Sequence, residues 1–143
     1  MFILNIMENK IPACFYRISA KALFLDESRT KFLLMREDTG LRDFPGWWLD
    51  FWENLQEGII REFNEEAWLE ATWIDTKPCY FVTAYRENKN FWIANIMYEA
   101  KLKNLDFIPS DECQEIMFFT KEEAEKLKLQ PNVKEFLKQF ISG

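Results

Sequence analysis

Glu62, Glu65 and Glu66 stand at i, i+3 and i+4, a spacing that places three carboxylates together on one side of a helix. Clustered carboxylate oxygens hold a hard cation such as Mg²⁺ or Mn²⁺. The same cluster also describes a solvated acidic helix face, and the charges alone do not separate the two. Like charges at this spacing cost about 0.2–0.5 kcal/mol per pair, and the C-terminal half of a helix disfavours anions. Arg61 offsets part of that cost, with Glu57 one turn before it and Glu65 one turn after. The chain has no histidine, which removes Ser-His and Cys-His nucleophilic mechanisms. Chemistry here must run on carboxylates, lysine, tyrosine or metal.

The element that must carry these carboxylates is a helix over about residues 55–67. Leu55, Ile59, Phe63 and Ala67, with Ile60 alongside, form its apolar face. Asn54 is a suitable N-cap, and Glu57 three residues later completes a pattern resembling a capping box. Around this helix the chain reads mostly as strands. "CFYRISAKALFLD" (14–26) and "KFLLMRED" (31–38) are two, with "ESRT" between them as a hairpin turn. "TGLRDFPG" reads as a loop. "CYFVTAY" and "FWIANIMYEAKL" are two more strands joined by the polar turn "RENKN", and "EIMFF" is the last. Helices follow at "KEEAEKLK" and, after Pro131, at "NVKEFLKQFI". The expectation is one mixed α+β domain over 1–143, with C-terminal helices at about 121–141.

Composition bounds the partners. The 143 residues carry a formal charge of −6, which argues against generic binding to a nucleic-acid polymer. A phosphate-bearing small ligand stays open, because metal ions can supply positive charge. The apolar opening "MFILNIM" is too short to span a bilayer and lacks a basic flank. It reads as an edge strand or a packed N-terminal arm. Cys14, Cys79 and Cys113 are widely spaced and odd in number, unlike a zinc site or a disulfide framework. Reduced, buried thiols in a cytoplasmic protein are expected.

From position 46 the chain runs Gly46-Trp47, five residues, Glu53, seven residues, Arg61-Glu62-Phe63-Asn64-Glu65-Glu66, one residue, then Trp68-Leu69. This resembles the Nudix box, here at 47–69: glycine, five residues, Glu, seven residues, Arg-Glu, an apolar residue, any residue, Glu-Glu, any residue, glycine, apolar. Every polar position is present at its spacing. "RISAKALFLDESRTKFLLMREDTGLRDFPG" is similar to the family's opening strands and loop, and "EIMFFTKEEAEKL" to its closing strand and helix. The likeness covers roughly residues 15–130.

The resemblance implies an α/β/α sandwich around a mixed sheet, with the box as loop–helix–loop. It implies hydrolysis of a diphosphate linkage in a small-molecule nucleoside diphosphate derivative, with Mg²⁺ or Mn²⁺ neutralising charge on the phosphoryl oxygens. Carried over residue by residue, Glu62, Glu65 and Glu66 become metal ligands, joined by the backbone carbonyl of Gly46 or Trp47. Arg61 holds the carboxylates by pairing with Glu53 or Glu65. One helix glutamate, or an acid on a later loop, is the general base. Glu112 is the candidate loop acid and metal ligand, or else an exposed loop glutamate. Arg17 and Arg36 are candidates to reach a phosphate, or else surface arginines. Trp47 is a further substrate-side candidate. Tyr80, Phe81, Tyr85 and Phe91 stack on a base or belong to the core. Substrate identity and oligomeric state stay open.

The departures are all of one kind. Trp occupies positions 47 and 68, where the family pattern has glycine, and also 48 and 52, where its members often have it. Position 68 is the C′ site of the helix, which favours a left-handed backbone and hence glycine. Trp and Gly codons differ at one first base, and UGA is read as tryptophan in some genetic codes and as glycine in others. The reading is that some or all of the six tryptophans stand where the source organism reads glycine. UGG codons at 47, 52 and 68 in the source gene would overturn it, and deliberate substitution is the competing cause. The native form would then be the hydrolase, with activity of the Trp-bearing chain reduced or absent. The alternative is a catalytically impaired Nudix-fold binding module, its tryptophans a platform for a nucleotide or cap-like ligand, where stacking contributes about 1–3 kcal/mol per base.

Overall fold

The computed structural model describes residues 15–48, 54 and 69–142, without the Trp47 side chain. The expected N-terminal arm and nearly all of the acidic helix lie outside the described residues. The longest strand, β7 (Phe91–Leu102), organises the larger sheet. On one side β7 pairs in parallel with β1 (Tyr16–Phe24), from Tyr16↔Trp92 to Phe24↔Ala100. On the other side β6 (Tyr80–Arg86) pairs antiparallel with its first half and β5 (Ala71–Ile74) with its second. β4 (Gly46–Trp48) closes the far edge, antiparallel to β1. A second sheet joins β3 (Arg42–Asp43), β2 (Lys31–Arg36) and β8 (Glu115–Thr120), all antiparallel.

The "ESRT" turn is as expected, the Asp26 N–H donating to the Lys31 carbonyl at 3.1 Å before an antiparallel Leu25↔Phe32 bridge, but β1 and β2 then enter different sheets. Ala20, Ala22, Leu23 and Phe24 bury both faces of β1, which suits a central position beside a parallel partner. The expected loop at 39–46 holds β3 and the start of β4 instead. "RENKN" does turn β6 into β7, with Asn90 at φ 57°, a conformation asparagine tolerates.

The first C-terminal helix is shorter than expected, α1 (Lys121–Ala124), capped reciprocally by Thr120 and Glu123. Three-residue turns from Lys126 to Glu123 and Leu127 to Ala124 end it, and the chain then runs beside β3 through a parallel Arg42↔Leu129 bridge. α2 (Pro131–Gln139) starts with proline at its first turn, where a missing N–H costs nothing. Its Val133, Phe136 and Leu137, with Phe140 beyond it, enter a core with Leu23, Phe32, Leu34, Phe44, Val82 and Met97. The Phe136 ring meets Phe44, Tyr80 and Phe32 edge-on at 4.8, 5.1 and 5.2 Å. Ala20, Ala22, Phe24, Leu33, Leu69, Tyr98 and Ala100 form a second cluster. The expectation of buried thiols holds for Cys113, which desolvation pushes up to about 11. Cys79 is exposed.

Candidate active site

The strand that opens the box is fixed by how closely it approaches β1. A Cβ at position 46 would sit 2.2 Å from the Ala20 carbonyl oxygen, so only glycine fits there. Pro45 accepts the Ala22 N–H at 2.8 Å, and Gly46, Trp47 and Trp48 stand in register with Lys21, Ala20 and Ser19. Because partners across a sheet share a face and neighbours along a strand alternate, one face can be read directly. It carries Arg17, Ser19 and Lys21 of β1, Trp48 of β4, Phe91, Ile93, Asn95 and Met97 of β7, and Tyr80, Val82, Ala84 and Arg86 of β6.

α2 and its neighbours cover the Met97–Tyr80 end of this face with apolar rings. The rest is polar. Lys21 Nζ donates to Asp43 Oδ2 at 3.1 Å and to the Phe44 carbonyl at 3.3 Å. The other Asp43 oxygen accepts from the Phe44 N–H at 2.7 Å and from Asn132 Nδ2 at 2.8 Å. Three donors thus satisfy a buried carboxylate. Gln130 Nε2 donates to Glu37 at 2.9 Å. Desolvation, reinforced by the Asp43 charge, raises the Glu37 carboxyl above its ordinary range, with Gln130, Lys21 and Arg86 opposing.

Some groups find no partner. Among the described residues, both amide atoms of Asn95, 1% exposed, lack a hydrogen bond, as do Arg86 Nε and Asn132 Oδ1. Buried polar atoms in folded proteins are nearly all paired, and each orphan costs about 1–3 kcal/mol. Over the same face the Trp48 ring lies 5.6 Å from Phe91, with the Arg17 guanidinium 5.2 Å from its centre.

Of the residues read from the sequence, Arg61, Glu62, Glu65, Glu66 and Glu53 lie outside the described residues. Among the described residues no three His, Cys, Asp or Glu side chains form a group able to hold a metal ion. Arg17 projects onto the polar face beside Trp48. Arg36 sits on the other sheet, 3.3 Å from Glu115, whose carboxyl the Arg42 hydrogen bond at 2.6 Å holds below its usual range. The two arginines are therefore not brought together. Glu112 is exposed on the loop before β8, where the neighbouring Asp111 carbonyl accepts from the Asp38 N–H. That contact sets its loop beside Glu37. Phe91 and the half-buried Tyr80 share the polar face, whereas Phe81 and Tyr85 point to the opposite one.

Sequence reasoning missed Lys21, Glu37, Asp43, Arg86, Asn95 and Asn132. Two of these carry a signal: Lys21 interrupts "ISAKALF" and Asn95 interrupts "WIANIM", each a polar residue inside an apolar strand. The others sit in loops or at element ends, where polar residues are ordinary.

The model of the NUDIX domain matches residues 15–140. Comparison with curated proteins by sequence returns no match. Among solved structures, a MutT protein from Methanosarcina mazei Go1 is 24% identical, with 90% of this chain and 94% of that chain covered at a TM-score of 0.67. A MutT NUDIX hydrolase from Burkholderia pseudomallei gives 16%, 89%, 99% and 0.72 for the same quantities. An ADP-ribose pyrophosphatase from Streptococcus suis 89-1591 gives 21%, 87%, 92% and 0.58. At these identities the likeness speaks for the fold, a mixed sheet sandwiched with helices. With the family model spanning most of its length, the chain belongs to the Nudix family of pyrophosphohydrolases, which act on phosphoric anhydrides.

Proposed function

We propose that the chain hydrolyses the diphosphate linkage of a nucleoside diphosphate derivative, with Mg²⁺ or Mn²⁺ held by Glu62, Glu65, Glu66 and the Gly46 carbonyl. One observation carries the reading. The strand that opens the box is anchored by Gly46 at the edge of a sheet face bearing Arg17, Lys21, Arg86 and Asn95. The organic and phosphate parts of a nucleotide would therefore lie beside the box. The donor set is all oxygen, which fits a hard cation. When bound, that ion supplies charge neutralisation at the phosphoryl oxygens.

The chain's own residues do the rest. Arg61 orients the carboxylates through Glu53 or Glu65, and Arg17 binds a substrate phosphate. One helix glutamate, or Glu112 from the loop beside Asp38, takes the proton of the attacking water. Arg36 is the weaker phosphate candidate, because Glu115 already engages it. No described helix is long and apolar enough to cross a membrane. We place the reaction in the cytoplasm on the strength of the free thiols of Cys79 and Cys113 among the described residues.

Tryptophan at 47, 48, 52 and 68 reduces turnover in this reading. The test is a panel of nucleoside diphosphate derivatives with Mg²⁺, run on this chain and on a version with glycine at those four positions. The expected result is turnover of at least one substrate by the glycine version, lost on Glu66→Gln. No turnover on any substrate would overturn the hydrolase reading.

A further inference from the structure

We propose that the Trp48 indole occupies the seat of a purine base, and that Arg17, Phe91 and Asn95 form that seat. The proposal rests on the nucleotide reading above and names the base class it takes. Three observations on this sheet face support it. The indole has a guanidinium 5.2 Å from its centre and a phenyl ring at 5.6 Å, tilted by 60°. Both contacts are general devices for planar aromatic groups. The second observation is Asn95, which is buried and offers an unused donor and an unused acceptor. An asparagine amide with both atoms available makes a bidentate pair with the edge of a base, as it does with adenine N6 and N7. The third is Arg86, cross-strand partner of Phe91, whose buried Nε also lacks a partner.

Register puts these groups on one sheet face. Trp48 and Asn95 are both partners of Ser19, one on each side. Two strand spacings put their backbones about 10 Å apart. The Trp48 ring reaches from the sheet edge across β1 toward Phe91. The register places Ile93 of β7 next to that path and Ala84 beyond it on β6, both buried. An indole and a purine are both fused five- and six-membered rings of similar outline. A pyrimidine lacks the second ring and would leave part of the seat empty. The structure thus has an aromatic slot filled by the chain's own bicycle, and beside it polar groups that the indole does not satisfy. Removing the ring opens the slot to a ligand able to satisfy them.

Equilibrium binding of mononucleotides tests this without metal and without turnover. AMP, GMP and CMP are titrated in EDTA by calorimetry into this chain, Trp48→Gly, Trp48→Phe and Trp48→Gly/Asn95→Leu. Trp48→Gly is expected to bind AMP or GMP at least tenfold more tightly than the parent, with CMP gaining less than threefold. Trp48→Phe, which keeps a ring in place, stays within threefold of the parent. Adding Asn95→Leu removes at least tenfold of the purine gain. Equal affinity of parent and Trp48→Gly overturns the proposal, as does an equal gain for CMP or a gain that survives Asn95→Leu. Should Trp48→Gly not fold, the parent decides: millimolar AMP is expected to shift the Trp48 indole N–H resonance, identified by its absence in Trp48→Phe. A resonance that stays put overturns the proposal. Failure here leaves hydrolysis by the glycine version untouched, and failed hydrolysis leaves these affinities unchanged.

Discussion

Two ends of one sheet face obey opposite rules. At the Met97–Tyr80 end, Phe136 and Phe140 of the C-terminal segment close over Phe32, Phe44 and Tyr80. Phe136 meets Phe32, Phe44 and Tyr80 edge-on there, and Phe140 meets Phe32 in the same way, as aromatic quadrupoles prefer. At the Arg17–Phe91 end, buried Asn95 and half-buried Arg86 leave polar atoms unspent. Asp43 stands between the two regions, a carboxylate satisfied by Lys21, Asn132 and the Phe44 N–H. The aromatic end gains stability from every group it buries. The polar end gives some up, and locally destabilising arrangements of this kind gather at functional sites.

The contrast breaks most visibly if the aromatic end is not where stability resides. Phe136 is fully buried against three rings. Phe136→Ala is expected to cost about 3–5 kcal/mol, read as a lower midpoint in urea denaturation at unchanged slope. A loss under 1 kcal/mol would mean that the core relaxes into the space and that the division between the ends is false. The polar end is expected to answer with the opposite sign. Asn95→Leu replaces two unpartnered amide atoms by methyl groups of similar volume, and stability should rise by about 1–2 kcal/mol. A loss on that substitution would show that the amide is satisfied in solution and that this end stores no deficit.

The two ends also differ in how much of them the sequence revealed. Apolar patterning announced β1, β2, β6, β7, β8 and the helix after Pro131, because burial of an alternating or helical face leaves a periodic trace. The spacing from Gly46 to Leu69 identified the family, since a gapped pattern with many fixed polar positions is hard to meet by chance. β3 and β4 were read as loop because two- and three-residue strands are too short to show a period. Their pairing depends on long-range register with β2 and β1. The separation of β1 from β2 was hidden for the same reason: adjacency in sequence favoured a hairpin, and the parallel partner lies some seventy residues on. Asn95, Arg86 and Asn132 were not legible as a group, because they come from three separate elements that only the fold brings to one region. Trp48 was read as a residue standing where glycine is common or as part of an aromatic platform, and its neighbours Arg17 and Phe91 came from the fold.

Glu37 offers the finest test of the contrast, since it sits at the polar end and titrates. Burial and the Asp43 charge raise its carboxyl above the ordinary value of 4.5. In the folded protein it therefore holds its proton to a higher pH than in the unfolded chain. A carboxyl raised in this way contributes stability that is fully present below its unfolded pKa and lost as pH rises through its folded pKa. Once the pH lies above both values the group is ionised in both states, and the folded protein then carries the cost of a poorly solvated charge beside Asp43. Glu37→Gln removes that cost and keeps an oxygen to accept from Gln130. The variant's stability advantage over the parent should therefore be largest near pH 7 and shrink as pH falls toward 4.5, measured as the difference between paired urea midpoints. Subtracting the two curves cancels the carboxylates with lowered values, such as Glu115 and Glu123, whose stabilising contribution disappears as pH falls. A difference that grows on acidification would mean that Glu37 is held by Lys21 and Arg86 as a favourable anion. The polar end would then be a satisfied ion network, and the deficit assigned to it would rest on Asn95 and Arg86 alone.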